Sequence, residues 1–284
     1  MKKIDLHLHT IPTLSDTHFE FSLEKLQEYI HTMEIDCIAI TNHNHFDKKQ
    51  FEVVKSSVTI KVFPGIEVNL EGGHILVIAD TDDIEDFSEK CIKIEAEIQD
   101  KDSFLSLDKF YEILNNLSKY ILIPHYDKRP IIRQDILVKL KDLAFCGEVT
   151  SIRKFKSCLK DVDALVPVLF SDMRFHDEMG PFSTKQTFID IDDLTINGIK
   201  SCLFDKRKVF LSKDDGNELF QVTADGLKIS TGLNIVFGER STGKTFTLDK
   251  ICGAFENVKY IKQFSLLQDD ASKFESLMSI RHSR

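Results

Sequence analysis

No apolar run in the sequence approaches the ~18 residues of a membrane helix, and its start, MKKIDLHLHT, lacks the apolar stretch and cleavage site of a secretory signal. No two cysteines stand at CxxC spacing. Cys37, Cys91, Cys146, Cys158, Cys202 and Cys252 are scattered, which excludes a disulfide frame or a zinc knot and fits reduced thiols in a cytoplasmic protein. Nor does positive charge prevail: 37 Lys and Arg stand against 46 Asp and Glu, a net charge of −9. Such a surface does not attract phosphate backbones over its whole extent, so contact with nucleic acid requires a local basic patch or bound metal. Secreted, membrane and collagen-like proteins are thereby excluded. What is present is ordinary for a protein with a real core, 42% hydrophobic and 29% charged residues. A length of 284 residues is room for one large domain or a domain and a half.

Short β-branched apolar runs recur over the first 172 residues, at 3–9, 37–42, 62–68, 74–79, 120–124, 145–149 and 166–170. Between them lie stretches with helical spacing, such as Leu23, Leu26, Ile30 and Met33, or Phe110, Ile113, Leu114 and Leu117. Ser22 is a candidate helix start, as is Ser106 or Asp108. Strand alternating with helix predicts a mostly parallel α/β sheet, open or closed into a barrel. Residues 69–73 are too few for a crossover helix and predict a hairpin between the third and fourth strands.

The polar residues gather at strand ends. His7 and His9 end the first strand, His43 and His45 follow the second, and Glu67 lies near the end of the third. His125 ends the fifth strand, Glu148 the sixth, and Asp172 follows the seventh; His74 opens the fourth run, beside Glu67 if the two strands form a hairpin. Period-two alternation places Asp5, His7 and His9 on one face and Ile4, Leu6 and Leu8 on the other. In a barrel, side chains at C-terminal strand ends converge on one mouth. A lone histidine is most often an ordinary core or surface residue, but so many converging with carboxylates point to a metal centre. Imidazole and carboxylate donors suit Zn, Mn or Fe, several of them imply more than one ion, and a carboxylate such as Glu67 can bridge two. Asp5, deeper in its strand, is a candidate acceptor for the distal N–H of a ligating histidine.

The segments DLHLHT followed by SD, ITNHNH, PGIEV, GHILVIAD, LIPHYDKRP and LFSD together resemble the polymerase-and-histidinol-phosphatase (PHP) domain over about residues 1–205. The resemblance implies a distorted (β/α)7 TIM-like barrel with two to three divalent metals (Mn, Zn or Fe) that hydrolyses phosphate mono- or diesters. It implies that His7, His9, Glu67 and Asp172 hold one ion, that Glu67, His74 and His125 hold a second, and that Asp16 with His43 contributes to a third. Two positions depart from the family pattern. SDMR puts Arg174 where the third ion's histidine belongs, with His176 two residues beyond, and Asn42 replaces a frequent Asp. Two ions firmly bound and a third weak or absent are therefore expected, with Arg174 as an alternative fixed charge for the substrate phosphate. Lys128 and Arg129, then Arg153, Lys154 and Lys156, follow strands at the same mouth. They form either a local polyanion patch or simply solvated loop charges.

Beyond residue 205 the pattern changes. Residues 209–211, 220–223 and 227–230 read as short antiparallel strands, and residues 238–245 match GxxxxGK[ST] between an apolar run at 233–237, read as a strand, and a helical stretch. In a P-loop the backbone N–H groups around Gly238 and Gly243 cradle phosphates, Lys244 reaches the β/γ-phosphates and Thr245 binds Mg²⁺. GLNIVFGERSTGKT resembles the start of ABC/SMC-type ATPase domains. This implies that residues 206–284 are the N-terminal part of a P-loop ATPase domain binding ATP with Mg. Walker B and the ABC signature do not appear, so the chain is expected to be a piece of a longer protein or to have a partner that completes the ATPase. Gln263 is a candidate γ-phosphate sensor, with an exposed strand glutamine as the plainer reading, and Asp269–Asp270 reads as solvated charge.

A PHP barrel ahead of an SMC-like ATPase resembles bacterial anti-phage proteins. The expectation is a metal-dependent phosphoesterase, a DNA nuclease gated by the adjoining ATPase, in which the ions with Arg174 or Arg129 stabilise developing charge and Asp172 is indispensable. DNA, ATP and a second copy of the chain are the expected partners. The alternatives are a phosphatase of nucleotide or sugar phosphates, and a barrel that binds a polyanion without catalysis.

Overall fold

The computed structural model of the chain describes residues 1–215, 219–230, 233–255 and 258–261. The chain divides into two compact units, Met1–Gly216 and Asn217–Arg284.

The first unit alternates strand and helix. In order it runs β1 (Lys2–His9), α1 (Leu23–Thr32), β2 (Cys37–Ile40), α2 (Lys48–Ser57), β3 (Lys61–Leu70), β4 (Gly73–Ile78), α3 (Ile84–Glu97) and α4 (Leu107–Leu114). It continues with β5 (Ile121–Asp127), α5 (Gln134–Lys139), β6 (Cys146–Val149), α6 (Ile152–Lys160), β7 (Val166–Val168), β8 (Met173–Arg174), β9 (Thr187–Ile189), α7 (Ile196–Cys202) and β10 (Val209–Phe210). Hydroxyl and carboxylate caps start the helices. Ser22, Asp47, Ser106, Ser151 and Thr195 each accept a backbone N–H of the first turn of α1, α2, α4, α6 and α7. Each helix then buries one stripe: Leu26 and Tyr29 on α1, Phe51 and Val54 on α2, Phe110 and Leu114 on α4.

The sheet runs β10-β9-β1-β2-β3-β4-β5-β6-β7, with β8 also on β1. Thr187 Oγ1 nearly closes the ring, accepting from Leu169 N at 2.9 Å and donating to Leu169 O at 3.0 Å. The sheet is mixed because β4 pairs antiparallel with both β3 and β5. Glu71 and Gly72, both at positive φ (51° and 83°), make the two-residue turn between β3 and β4, the conformation that matches the twist of a hairpin. Running backwards, β4 brings its first residues, not its last, to the barrel mouth.

Two clusters of apolar side chains show which face is which. Ile38, Ile40, Val62, Ile66 and Val68 pack with Leu26, Tyr29 and Phe51 on the helix side. Ile4, Leu6, Ala39, Phe63, Leu76, Ile78, Ile121 and Ile123 form the other cluster and line the interior. Strict alternation fails in β1. Its register against β2 steps from Asp5↔Ile38 to Leu8↔Ile40, so that Ile4 and Leu6 face inward but Leu8 joins the helix side. This bulge corrects the expected facing of Asp5. Asp5 lies on the helix side, where Tyr29 Oη donates to it at 2.5 Å and Ser171 N at 3.1 Å, while His7 and His9 face inward.

In place of the expected end of the barrel at residue 205, the barrel sheet includes β10, which pairs antiparallel with β9. Residues 209–211 are thus barrel edge and not the first strand of the second unit. That unit contains β11 (Leu219–Gln221) and β12 (Lys228–Ser230), an antiparallel pair, and α8 (Lys244–Ala254). Residues 233–237 do not form the expected strand. The described residues give them no pairing partner, and Leu233 and Phe237 are 90% and 86% exposed.

Candidate metal centre

Above the apolar interior layer, the inward positions become polar. Phe63, Gly65 and Glu67 alternate on β3, Ile78, Leu76 and His74 on β4, and Ile121, Ile123 and His125 on β5, so each strand carries its donor at the mouth end. Gly65 permits this crowding, since a Cβ there would stand 2.7 Å from Thr41 Cγ2. His125 lies directly across from Glu148 in the β5–β6 register. Asp172 follows β7 at φ 56°, a conformation aspartate tolerates better than most residues, and its N–H is held by His7 O at 3.0 Å. Two asparagines tie down the loop after β2. Asn42 Oδ1 accepts from Thr10 N at 2.7 Å and Asn44 Oδ1 from Asn69 N at 2.7 Å.

Glu67 is the hub. Its Oε1 lies 2.5 Å from His74 Nδ1 and 3.2 Å from His125 Nε2; its Oε2 lies 2.9 Å from His7 Nε2, 3.1 Å from His43 Nδ1 and 3.3 Å from His9 Nε2. Asp172 Oδ1 is 3.0 Å from His9 Nε2 and 3.4 Å from His7 Nε2. Glu148 Oε2 is 2.8 Å from His7 Nδ1 and 3.4 Å from His125 Nε2. Among the described residues, four groups of donor atoms lie within 4.8 Å of one another: His7, His9, Glu67 and Asp172; His7, His125 and Glu148; His9, Asp16 and His43; His43, Glu67 and His74.

These groups fit divalent ions. Donors that share an ion at about 2.0–2.2 Å stand roughly 3 Å apart, the spacing found around both oxygens of Glu67. The contacts of His43 Nδ1 and His125 Nε2 are not hydrogen bonds at all, and His9 Nδ1 and His125 Nδ1 are likewise buried with no hydrogen-bond partner among the described residues. Buried polar atoms left in that condition are rare unless another ligand serves them.

The electrostatics divide the imidazoles. Burial pushes His43 down to about 3 and also lowers His125, holding both imidazoles in the neutral form that metals require. Burial works the same way on His7, but Glu148, Asp172 and Glu67 outweigh it and raise His7 to about 10. Glu67 resists its own burial because His7, His74 and His9 hold its carboxyl well below the usual range. Asp172 is likewise held low against burial by His7, His9 and Lys128. Burial instead raises Asp5 to about 6.

His7, His9, Glu67, Asp172, His43, His74, His125 and Asp16 are all brought to this mouth. Asp5 takes no histidine N–H; Glu148 holds that place on His7. Glu148 is also bonded by Lys128 Nζ at 2.8 Å, and the same ammonium lies 2.9 Å from Asp172 Oδ2. The sequence placed Glu148 at the mouth and Lys128 in the basic patch but gave neither a role in the metal centre. Position at the end of β6 was the available signal for Glu148, whereas nothing in the sequence distinguishes Lys128 from Arg129. Arg129 is exposed and has no ion pair among the described residues. His45 pairs with Glu95 at 2.9 Å, and His176 joins none of the donor groups among the described residues. Arg153 and Lys156 are exposed on α6, and Lys154 pairs with Asp127 at 2.6 Å.

In the second unit, residues 238–245 curl into a loop that opens α8. Ser241 and Gly243 adopt positive φ (70° and 91°), and a Cβ on Gly238 would lie 2.5 Å from Thr242 Oγ1. Lys244 Nζ donates to the carbonyls of Gly238 and Glu239 at 2.7 and 2.6 Å, and Thr245 is exposed in the first turn. Gln263, Asp269 and Asp270 lie outside the described residues.

No protein-family model matches the chain, and no curated protein does. Solved structures do. The chain is similar to PsfC from Pseudomonas syringae (TM-score 0.50, 16% identity, covering 76% of this chain and 93% of that one). It is also similar to a two-domain protein containing a predicted PHP-like metal-dependent phosphoesterase from Bacteroides vulgatus (TM-score 0.50, 14% identity, 78% and 72%). At these identities the likeness concerns the fold: a nearly closed, mixed barrel-like sheet with helices, of the PHP-type, TIM-like α/β kind. No helix among the described residues is long and apolar enough to cross a membrane.

Proposed function

We propose that the barrel is a metal-dependent phosphoesterase acting on nucleic-acid phosphodiesters, a DNA nuclease, with the second unit as an ATP-responsive neighbour. The observation that carries this reading is Glu67, whose two oxygens face different sets of imidazoles, as a carboxylate shared between two ions must. Divalent ions held there would supply Lewis acidity toward the phosphoryl oxygens. His7, His9, Glu67 and Asp172 form one donor set; His74 and His125, both beside Glu67 Oε1, offer the other, while Glu148 fixes the ring of His7 through Nδ1. Lys128, only 12% exposed, places a fixed positive charge between Glu148 and Asp172. The exposed Arg129, Arg153 and Lys156 suit a polyanionic strand lying across the mouth.

A second reading, a phosphatase of small nucleotide or sugar phosphates, is favoured by the cleft of about 420 Å³ next to Asp16 and His43, whose wall includes Glu95 and Asp100. Such a wall repels a long polyanion. The P-loop-like turn at residues 238–245 is the support for ATP and Mg²⁺ binding. The resemblance of the tandem to anti-phage proteins supports defence as its setting and a second copy of the chain as a partner.

The test is Mn²⁺-dependent hydrolysis of labelled single- and double-stranded DNA beside p-nitrophenyl phosphate, with His7→Ala as control. Cleavage of DNA by the wild type alone is expected. Turnover of the small ester without DNA cleavage would replace the nuclease with the phosphatase, and no hydrolysis by a protein with ions bound would overturn both.

A further inference from the structure

Of the four donor groups, three draw on Glu67 or Glu148; the fourth, His9, Asp16 and His43, is already in contact with a cation of the chain itself. Arg174 Nε and Nη2 both lie 2.7 Å from Asp16 Oδ1, and Nη2 lies 3.2 Å from His43 Nε2. Its Nη1 donates to Asp172 Oδ1 at 2.7 Å and to Asp172 O at 2.9 Å. The backbone is fixed as well, because β8 pairs with β1 so that Arg174 stands opposite His9. Resting on the metal-dependent reading above, we propose that Arg174 is the third cation of this centre. Its guanidinium fills the group of His9, Asp16 and His43, limits the barrel to two divalent ions, and keeps a fixed positive charge beside the substrate phosphate.

Charge supports the same count. Asp16, Glu67, Glu148 and Asp172 bring four negative charges, and Lys128 and Arg174 return two positive ones. Two divalent ions then leave a net charge of +2, the complement of a phosphodiester monoanion together with an attacking hydroxide; a third ion beside a retained arginine would leave +4. Arginine suits the position because it stays protonated at any working pH and offers several N–H donors in one plane. With its side chain 29% exposed, Arg174 also lines a cleft of about 730 Å³ with Asp16 and His176, so its charge borders a space open to solvent.

The experiment counts ions and measures phosphate affinity on the full chain. After equilibration with Mn²⁺ and removal of free metal, elemental analysis should give two ions per chain for the wild type. Arg174→His, which adds an imidazole beside Asp16 and His43, should give three. Arg174→Lys keeps a cation there and should stay at two, which separates loss of charge from misfolding. Inorganic phosphate should bind Arg174→Ala about tenfold more weakly than the wild type, the loss expected for removing one nearby fixed charge. Three ions in the wild type would overturn the proposal while leaving the metal-dependent reading intact. So would an unchanged ion count in Arg174→His together with unchanged phosphate affinity in Arg174→Ala. A fall below two in Arg174→Lys would make Arg174 a scaffold for Asp172 instead. No ions in the wild type would remove the metal centre itself.

Discussion

In the barrel, His7, His9, Glu67 and His125 are each at most 1% exposed, and every one is locked by a strand paired on both sides. In the second unit, a loop that matches a phosphate-binding motif at every defining position follows a segment whose Leu233 is 90% exposed and whose Ile235 is 65% exposed. One candidate site is built from buried side chains on strands paired on both sides. The other is a backbone loop whose lysine rests on the loop's own carbonyls. A sequence motif specifies the local turn. Only packed neighbours specify a site.

The sharpest way to break this contrast is at its hub. Glu67→Gln removes the charge shared by five imidazoles, and hydrolysis should fall at least about 100-fold together with ion retention, since even indirect partners of ligands cost 10–100-fold. Measured rates and ion counts that matched the wild type would place the centre elsewhere. Next in size, Glu148→Gln should weaken Mn²⁺ binding about 10–100-fold by freeing the ring of His7, as read by calorimetric titration. On the other side of the comparison, Lys244→Ala should weaken ATP binding about tenfold or more and leave nucleotide-independent hydrolysis by the barrel unchanged. A matching loss in both would mean that the two units do not act separately. The smallest effect expected is on stability. Tyr29→Phe deprives the buried Asp5 of its hydroxyl donor and should cost about 1–2 kcal/mol in denaturant unfolding, with the ion count unaltered.

Much of the barrel was legible because seven strands carried apolar runs with polar residues at one end, and because Ser22 and Ser106 announced their helices. The residues that escaped did so for physical reasons. A bulge leaves no compositional trace, so Asp5 was assigned to the face it does not occupy. The strands β8 and β9 have two and three residues, too short for periodicity to register, while β10 was read as a strand but given to the second unit. Lys128 and Arg129 are adjacent residues of one charge, and only the path of the chain after β5 decides which reaches Glu148. Residues 233–237 have the composition of a strand without a described neighbour to pair with, and composition alone does not supply the missing hydrogen bonds.

The central claim, a pair of ions bridged by Glu67, is most directly tested by anomalous diffraction from crystals equilibrated with Mn²⁺. Two peaks roughly 3.5–4 Å apart, one beside each carboxylate oxygen of Glu67, are predicted. A single peak, or none in contact with Glu67, would contradict it.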